Sequence, residues 1–207
     1  GRPRAVLITA DQTVHELNGV QEQREIEVEK GVMIKQGGAN LEYDSLVAPE
    51  QEVALAMNTL KVPRGGEFRL KLSDGTNVYL NSASDLKYPV RFNEKERTVY
   101  LSGEAYFEVT RNEDKPFVVH TKYLDIEVLG TSFNVYSYER ENVMEMALIS
   151  GRIKIQTCSE PSRVVYLKPN EKALFNKESG IITVEKTDNR FETAWLRGDL
   201  VFRSTKL

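Results

Sequence analysis

The sequence contains few of the residues from which catalytic and metal centres are usually built. It has one cysteine, Cys158, and two histidines, His15 and His120. A single cysteine excludes both an intramolecular disulfide and a zinc site made of several thiolates. The two histidines are far apart in the chain and belong to no H-x-x-x-H or H-x-E pattern, so their spacing predicts no metal site. We therefore expect no catalytic residue, no cofactor and no metal ligand.

The chain also lacks a basic excess and a long apolar run. It has 28 Lys and Arg against 31 Asp and Glu, a formal net charge of -3. Domains that bind nucleic acid usually carry a basic excess, so nucleic acid is not expected as a partner. No apolar run reaches the roughly 18 residues of a membrane helix, and no hydrophobic signal segment follows Gly1. The residues alone leave two possibilities open, a cytosolic protein or a chain trimmed from a longer one.

Motifs of common enzyme classes are missing as well. Neither G-x-S-x-G nor the phosphate-binding loops G-x-G-x-x-G and G-x-x-x-x-G-K-[ST] occur. Cys158 and His120 could form a nucleophile pair, but Cys158 lies in a polar stretch typical of a hairpin tip, which favours an ordinary surface thiol. Carboxylates two or four residues apart share one face of a strand, and we expect these to be solvated rather than catalytic. The pairs are Glu104 with Glu108, Asp125 with Glu127, and Glu141 with Glu145.

Short alternating segments occupy almost the whole chain. Phe68, Leu70 and Leu72 alternate with polar residues and precede Asp74-Gly75, a pair that tolerates the positive φ angles of tight hairpin turns. No helical pattern of 10–15 residues intervenes. The sequence therefore predicts an all-β fold, either a β-sandwich or a short solenoid-like stack of many short, mostly antiparallel strands. Further strands are predicted at Val99, Ala105, Phe117, Ile126, Phe133, Met144, Ile153, Val164, Ala173 and Ile182, and the ambiguous segment 53–59 is assigned to a strand.

Three loosely similar segments each place a glycine between predicted strands. These glycines are Gly103, Gly130 and Gly151. Glycine at such a position permits the tight turn or bulge by which a chain steps from one sheet to the next. We therefore predict three corners of the fold.

Tyrosines in the predicted strands offer a second functional interpretation. An exposed cluster of aromatic rings on a β-sandwich would stack against sugars, although half-buried tyrosine is also common on strand faces. This alternative is a carbohydrate-binding β-sandwich module, which requires the rings to share one exposed patch. The tyrosines concerned are Tyr79, Tyr88, Tyr100, Tyr106, Tyr136 and Tyr138.

Four ordered motifs resemble the FecR family of anti-sigma factors. Residues 57–89 contain V-P-R-G-G-E-F and D-G-T, and residues 97–109 read R-x-V-x-L-x-G-E-A-Y-F-x-V. Residues 115–121 read K-P-F-x-V-x-T, and residues 126–135 read I-x-V-L-G-T-x-F-N-V. The order and spacing are those of the family, and the resemblance extends over about residues 57–176.

The resemblance implies a division into three parts. Residues 1–56 are expected to be an N-terminal juxtamembrane β segment packed on the main domain, and residues 57–190 a FecR-like β domain. Residues 191–207, with Trp195, Leu200 and Phe202, are expected to form a linker strand that opens a truncated C-terminal domain. The chain would then be the periplasmic domain of a single-pass inner-membrane protein whose sigma-binding region and membrane helix precede it.

The same resemblance implies a non-enzymatic function. The chain would receive the signal for a transmembrane anti-sigma factor that relays the state of a TonB-dependent outer-membrane transporter to an ECF sigma factor controlling transcription. The expected partners are the signalling domain of that transporter, the sigma factor through the cytoplasmic region, and a regulatory protease. Strand addition to an unpaired sheet edge would allow such docking without any catalytic group. The sequence does not identify which residues bind the partners.

Overall fold

Alternating apolar and polar residues form eighteen strands in the computed structural model, which describes residues 4–17, 23–29, 32–43, 56–93 and 95–198. The strands are β1 (Ala5–Ile8), β2 (Val14–Leu17), β3 (Arg24–Glu29), β4 (Val32–Gly37), β5 (Asn40–Tyr43), β6 (Met57–Val62), β7 (Phe68–Lys71), β8 (Asn77–Leu80), β9 (Ser84–Pro89), β10 (Arg97–Glu108), β11 (Phe117–His120), β12 (Leu124–Val128), β13 (Ser132–Ser137), β14 (Val143–Ser150), β15 (Ile153–Thr157), β16 (Val164–Leu167), β17 (Glu171–Asn176) and β18 (Ile182–Lys186). A short helix α1 (Asn189–Glu192) and a 3₁₀ helix (Ala194–Arg197) follow.

The strands form two sheets. Sheet A has the order β2-β1-β6-β9-β10-β11-β12-β15-β16. Sheet B has the order β3-β4-β5-β7-β8-β10-β13-β14-β17-β18. β10 belongs to both sheets, because its first half pairs with β9 and β11 and its second half with β8 and β13.

Antiparallel pairing dominates both sheets. Within the described ranges only β5 with β7 and β10 with β11 run parallel. From β11 onward, successive hairpins are added alternately to sheet A and sheet B, so the chain builds a two-layer stack. The predicted all-β fold of many short, mostly antiparallel strands is confirmed.

One hydrophobic core fills the space between the sheets. Phe107 of sheet B stacks on Phe133 with ring centroids 5.1 Å apart and meets Phe117 of sheet A at 6.1 Å, edge to face. Such ring pairs add to the free energy gained by burying their apolar area. The Phe68–Leu80 hairpin predicted around Asp74-Gly75 is also confirmed, with Phe68 opposite Leu80.

A buried polar contact also joins the two sheets. The Tyr43 hydroxyl of sheet B lies 3.0 Å from that of Tyr88 in sheet A, and Asn58 Nδ2 donates to Tyr43 Oη at 2.7 Å. Burial raises the pKa of Tyr43 to about 12. The neutral phenol is therefore the form that this contact requires.

The three predicted corner glycines lie where the chain changes sheets. Gly103 has φ +106°, and a Cβ there would lie 2.4 Å from Ser84 Oγ; β10 passes from sheet A to sheet B at this residue. Gly130 joins β12 to β13 and packs against Arg111, whereas Gly151, with φ +93°, joins β14 to β15. The prediction of corners is confirmed, although Gly103 lies inside one long strand rather than between two.

The prediction of a strand around Trp195 is wrong. Asp188 caps α1 by accepting a hydrogen bond from Arg190 N, and the 3₁₀ helix that contains Trp195 ends at Gly198, which has φ +76°. An N-cap carboxylate and a left-handed glycine favour helical turns over extended chain. The predicted strand positions 200 and 202 lie outside the described residues.

The described part of residues 4–43 continues both sheets. β1 pairs with β6 in sheet A, and β5 pairs with β7 in sheet B. The strand assigned to residues 53–59 is found from Met57, whereas residues 51–55 lie outside the described ranges. The boundaries of the three expected parts stay predictions. Neither of the two described helices is long and apolar enough to cross a membrane.

Candidate functional site

The outer face of sheet B is covered by residues 189–197, which we call the C-terminal cover. Its anchor is Trp195, which is 8% exposed and donates from Nε1 to Asn134 Oδ1 at 3.1 Å. Asn134 Nδ2 in turn donates to Glu104 Oε1 at 2.9 Å, and Asn81 Nδ2 donates to the other Glu104 oxygen. The buried carboxylate of Glu104 is thus held by two amides. Motif residues therefore position the cover.

A second attachment of the cover is ionic. Lys172 Nζ on β17 lies 3.3 Å from Glu192 of α1, 3.5 Å from Glu185 of β18 and 3.7 Å from Glu145 of β14. Burial lowers the pKa of Lys172, but the nearby carboxylates outweigh this and raise it above its ordinary value. One lysine thus links the cover to the last strand of sheet B.

Another motif pair fixes the β7–β8 turn to β10. Arg97 is 2% exposed, and its Nη1 donates to Asp74 Oδ2 at 2.8 Å and to the Thr110 carbonyl at 2.7 Å. Its Nε donates to the Lys115 carbonyl at 2.9 Å, and its guanidinium lies over the Phe117 ring. A buried charge needs such partners, so these residues have structural roles.

At one end of the stack the last strands of the two sheets are β16 and β18, and apolar side chains are exposed there. Within the described ranges β16 pairs with β15 alone and β18 with β17 alone. Tyr166 on β16 is 63% exposed, and Ile181 and Val184 beside and on β18 are 49% and 43% exposed. Such edges present main-chain donors and acceptors to an incoming strand. They are the candidate interaction sites.

The structure brings together His120, Asp125 and Cys158 on the outer face of sheet A. A hydrogen bond joins His120 Nδ1 and Asp125 Oδ1. Partial burial, followed by the Asp125 carboxylate, raises the pKa of the exposed Cys158 thiol. The sequence suggests His120 beside Cys158 but not Asp125, because cross-strand pairing is what places Asp125 there. The other histidine, His15, lies on β2 opposite Leu7.

Four of the six carboxylates in the predicted pairs contact a cation, an imidazole or an amide. Glu104 is buried under the cover, whereas Asp125 contacts His120 and Glu127 lies 3.7 Å from Lys154. Glu145 belongs to the Lys172 cluster, and Glu141 is exposed in the loop before β14. No pair combines two carboxylates around one apolar cleft in the described ranges, as a glycosidase would require.

The six tyrosines do not share one exposed patch. Tyr88 is fully buried between the sheets, and Tyr100 lies on the outer face of sheet A beside His120. The ring pair of Tyr79 and Tyr106 lies on the outer face of sheet B, where Tyr106 is only 8% exposed. Tyr136 and Tyr138 form a separate pair. This distribution does not favour the carbohydrate-binding alternative.

Comparisons with known proteins agree with the motifs and the fold. The family model described as FecR protein matches residues 58–154. Two crystal structures of a candidate anti-sigma factor from Parabacteroides distasonis, at 2.50 and 1.65 Å resolution, are both 36% identical to the chain. The first has a TM-score of 0.68 and covers 71% of this chain and 68% of that one, and the second has a TM-score of 0.67 and covers 70% and 67%. A comparison with curated proteins found no match.

The level of identity is informative because it extends over two thirds of the related chain in the same fold. The residues shared with the family pattern include those that hold the β7–β8 turn and the C-terminal cover, and two of the sheet-changing glycines, Gly103 and Gly130. From these observations together, the chain belongs to the FecR family of anti-sigma factors, a regulatory and non-enzymatic kind of protein whose partner is a sigma factor.

Proposed function

We propose that this chain is the periplasmic, signal-receiving part of a membrane-anchored anti-sigma factor. In this proposal it relays the state of a TonB-dependent outer-membrane transporter to an ECF sigma factor, with a regulatory protease acting on the anchored protein. The observation that supports it is the FecR match over residues 58–154 in a fold shared with a candidate anti-sigma factor. The sigma-binding region and the membrane helix would precede residue 1.

The docking step would be strand addition to β18 by the transporter's signalling domain. Asn176 N donates a hydrogen bond to the Ile181 carbonyl, and Thr187 N donates to the Asn170 carbonyl. These two bonds show which residues of β18 direct their main-chain groups toward β17. In an antiparallel pair every second residue directs its main-chain groups away from the neighbour. The N–H groups of Ile182 and Val184 therefore point to the open edge. A partner strand could bond to them directly.

The effect of a partner bound at that edge would reach the C-terminal cover through the outer face of sheet B. Lys172 contacts Glu185 on β18 and Glu192 in the cover, so both carboxylates compete for one ammonium group. Displacement of Glu185 by a partner strand would change the charge balance at Glu192. The relay would therefore act through the attachment of the cover, which precedes the C-terminal end of this chain.

A transcriptional reporter tests the relay in cells. The strain would contain the full-length protein, its sigma factor, and the transporter with or without its signalling domain. We expect the transported ligand to induce the sigma-dependent reporter only when the signalling domain is present. Equal induction by the transporter lacking that domain would contradict the proposal.

A further inference from the structure

Three different metal-binding side chains converge on the outer face of sheet A. The ligand atoms of His120, Asp125 and Cys158 all lie within 4.8 Å of one another. They supply an imidazole nitrogen, a carboxylate oxygen and a sulfur, and no other such group of three occurs within the described ranges. None of the contacts that hold the core or the C-terminal cover depends on them.

Strand register brings these residues together. His120 on β11 is the direct cross-strand partner of Asp125 on β12. Asp125 in turn faces Gln156 on β15, so Cys158, two residues further along the same chain, lies diagonally across from it. The backbone is fixed there as well, since Cys158 N donates to the Tyr123 carbonyl at 2.9 Å. The side chains of His120 and Asp125 thus project from two paired strands, and that of Cys158 projects from the residue directly after β15.

The cluster is open to solvent on one side. The side chains of His120 and Asp125 are 42% and 43% exposed, and they line a groove of about 370 Å³. Tyr100 packs edge-on against the imidazole with ring centroids 5.3 Å apart. A bound ion would therefore have three protein ligands on one side and room for water on the other.

We propose that His120, Asp125 and Cys158 form a Zn²⁺ site whose fourth ligand is water. Zinc accepts sulfur, nitrogen and oxygen donors together in tetrahedral geometry, with bonds of about 2.0 to 2.3 Å that place neighbouring ligand atoms roughly 3.5 Å apart. Small rotations of these exposed side chains would bring the three ligand atoms to this spacing. Harder ions such as Mg²⁺ and Ca²⁺ prefer all-oxygen sites, and the mixed donor set does not suit them.

The same arrangement does not suit a cysteine nucleophile. The Asp125 carboxylate lies against the thiol, and two neighbouring negative charges disfavour the thiolate that a nucleophile requires. A divalent cation reverses this balance, because it compensates the thiolate and the carboxylate at once. The ion would also clamp the β11–β12 hairpin to the loop after β15. This inference goes beyond the proposed signalling function and does not depend on it.

Zinc binding can be measured with the purified chain and a chromophoric chelator as competitor, in a reductant that does not bind metal. We expect one Zn²⁺ per chain and a raised melting temperature in its presence. Cys158→Ser and His120→Gln should each weaken binding at least about tenfold. His15→Gln, which changes the only other histidine of the chain, should bind zinc like the wild type.

Cobalt substitution supplies a readout of the ligands themselves. Co²⁺ bound at this site should show a thiolate-to-metal charge-transfer band that is absent in Cys158→Ser. Because Cys158 is exposed, that variant should keep the melting temperature of the metal-free wild type. The proposal is overturned if the chain binds no Zn²⁺, if Cys158→Ser binds it with wild-type affinity, or if the charge-transfer band is missing.

Discussion

Individual residues of the motifs act mainly by forming hydrogen bonds and ion pairs with other groups inside the fold. Arg97 is the clearest case, because its buried guanidinium meets a carboxylate, two main-chain carbonyls and an aromatic ring. Removing the guanidinium leaves the Asp74 carboxylate without its cation in a site where its side chain is only 15% exposed. The family-like motif at this position therefore describes a structural lock on the β7–β8 turn.

Arg97→Met should lower the free energy of unfolding by roughly 3 to 5 kcal/mol, the usual cost of breaking a buried ion pair. Equilibrium urea denaturation measures this change. Lys61→Met is the matched control, since the Lys61–Asp85 pair is nearly half exposed and should contribute less than about 1 kcal/mol. Similar losses in both variants would refute the structural role assigned to Arg97.

Glycine is required at Gly103 for two separate reasons. Its φ of +106° is unfavourable for any other residue, and a Cβ would lie 2.7 Å from the Cα of Ser84. Gly103→Ala should therefore destabilise the fold by more than about 2 kcal/mol in urea denaturation. Gly180→Ala, at φ +67° with open space around it, should cost only about 1 kcal/mol. Equal costs would show that the contact with Ser84 is unimportant.

Contacts between elements hold the two sheets together. The contact made by the Tyr43 hydroxyl is sensitive to pH. The pKa of Tyr43 is about 12 in the folded protein, whereas the ordinary pKa of tyrosine is 10.0. The folded state therefore binds more protons than the unfolded chain between these values. Its contribution to stability is complete below pH 10 and is lost as the pH rises toward 12.

From this shift we expect the free energy of unfolding to fall by up to about 3 kcal/mol between pH 10 and 12. Tyr88, whose pKa burial raises well above its ordinary value, acts in the same direction. Urea denaturation across this range should give a shallower decline for Tyr43→Phe than for the wild type. Identical slopes would contradict the link between this tyrosine and alkaline unfolding.

The attachment of the C-terminal cover can be followed by tryptophan fluorescence. Trp195 is the only tryptophan of the chain, and its indole is buried against sheet B. Asn134→Ala removes the acceptor of the indole N–H and one donor to Glu104. We expect the emission of Trp195 to shift to longer wavelength and its quenching by iodide to increase, while the far-ultraviolet circular dichroism is unchanged.

Asn142→Ala serves as the control for that experiment, because Asn142 makes an exposed hydrogen bond to Glu178 at a distance from the cover. Its emission spectrum should match that of the wild type. If Asn134→Ala leaves the emission and the quenching unchanged, the amide of Asn134 does not hold the cover in place.

Much of the strand content could be predicted because alternation is a local property. Val99 and Leu101, for example, face the core from one strand, and the glycines at 103, 130 and 151 mark the changes of sheet. The C-terminal cover was assigned wrongly because Trp195, Leu200 and Phe202 resemble the linker strand of the family pattern. Asp188 at the N-cap, followed by Glu192, was the local signal for helix that could have corrected it.

The cluster of His120, Asp125 and Cys158 could not be predicted in the same way. Its members are separated in the sequence, and only the register of β11, β12 and β15 places their side chains on one face. Register depends on turn geometry and on core packing across two sheets, which a local pattern does not contain. Only the short spacing of His120 and Asp125 across a hairpin hinted at their contact.

The whole molecule is a stack whose last hairpin is exposed at one end and linked to the C-terminal cover. Two sheets terminate there, yet only β18 shares an ion-pair cluster with the cover, through Glu185 and Lys172. A partner strand on β18 is therefore better placed to affect the cover than one on β16. Comparing partner binding at the two edges therefore tests the proposed relay.

Proline substitution can test the two edges separately without removing their existing hydrogen bonds to the neighbouring strands. The N–H groups of Val184 on β18 and Tyr166 on β16 both point away from the neighbouring strand, because Asn176 N and Thr157 N set the alternation in the two hairpins. Proline removes only that outward donor and is tolerated on edge strands. Val184→Pro and Tyr166→Pro are therefore matched variants with predicted stabilities close to that of the wild type.

Calorimetric titration of the transporter's signalling domain into the solubilised full-length protein shows whether β18 is the docking edge. We expect a one-to-one complex that Val184→Pro weakens at least about tenfold, since the partner strand loses a main-chain hydrogen bond. Tyr166→Pro should bind like the wild type. No binding by the wild type, or weakening by Tyr166→Pro in place of Val184→Pro, would refute docking at β18.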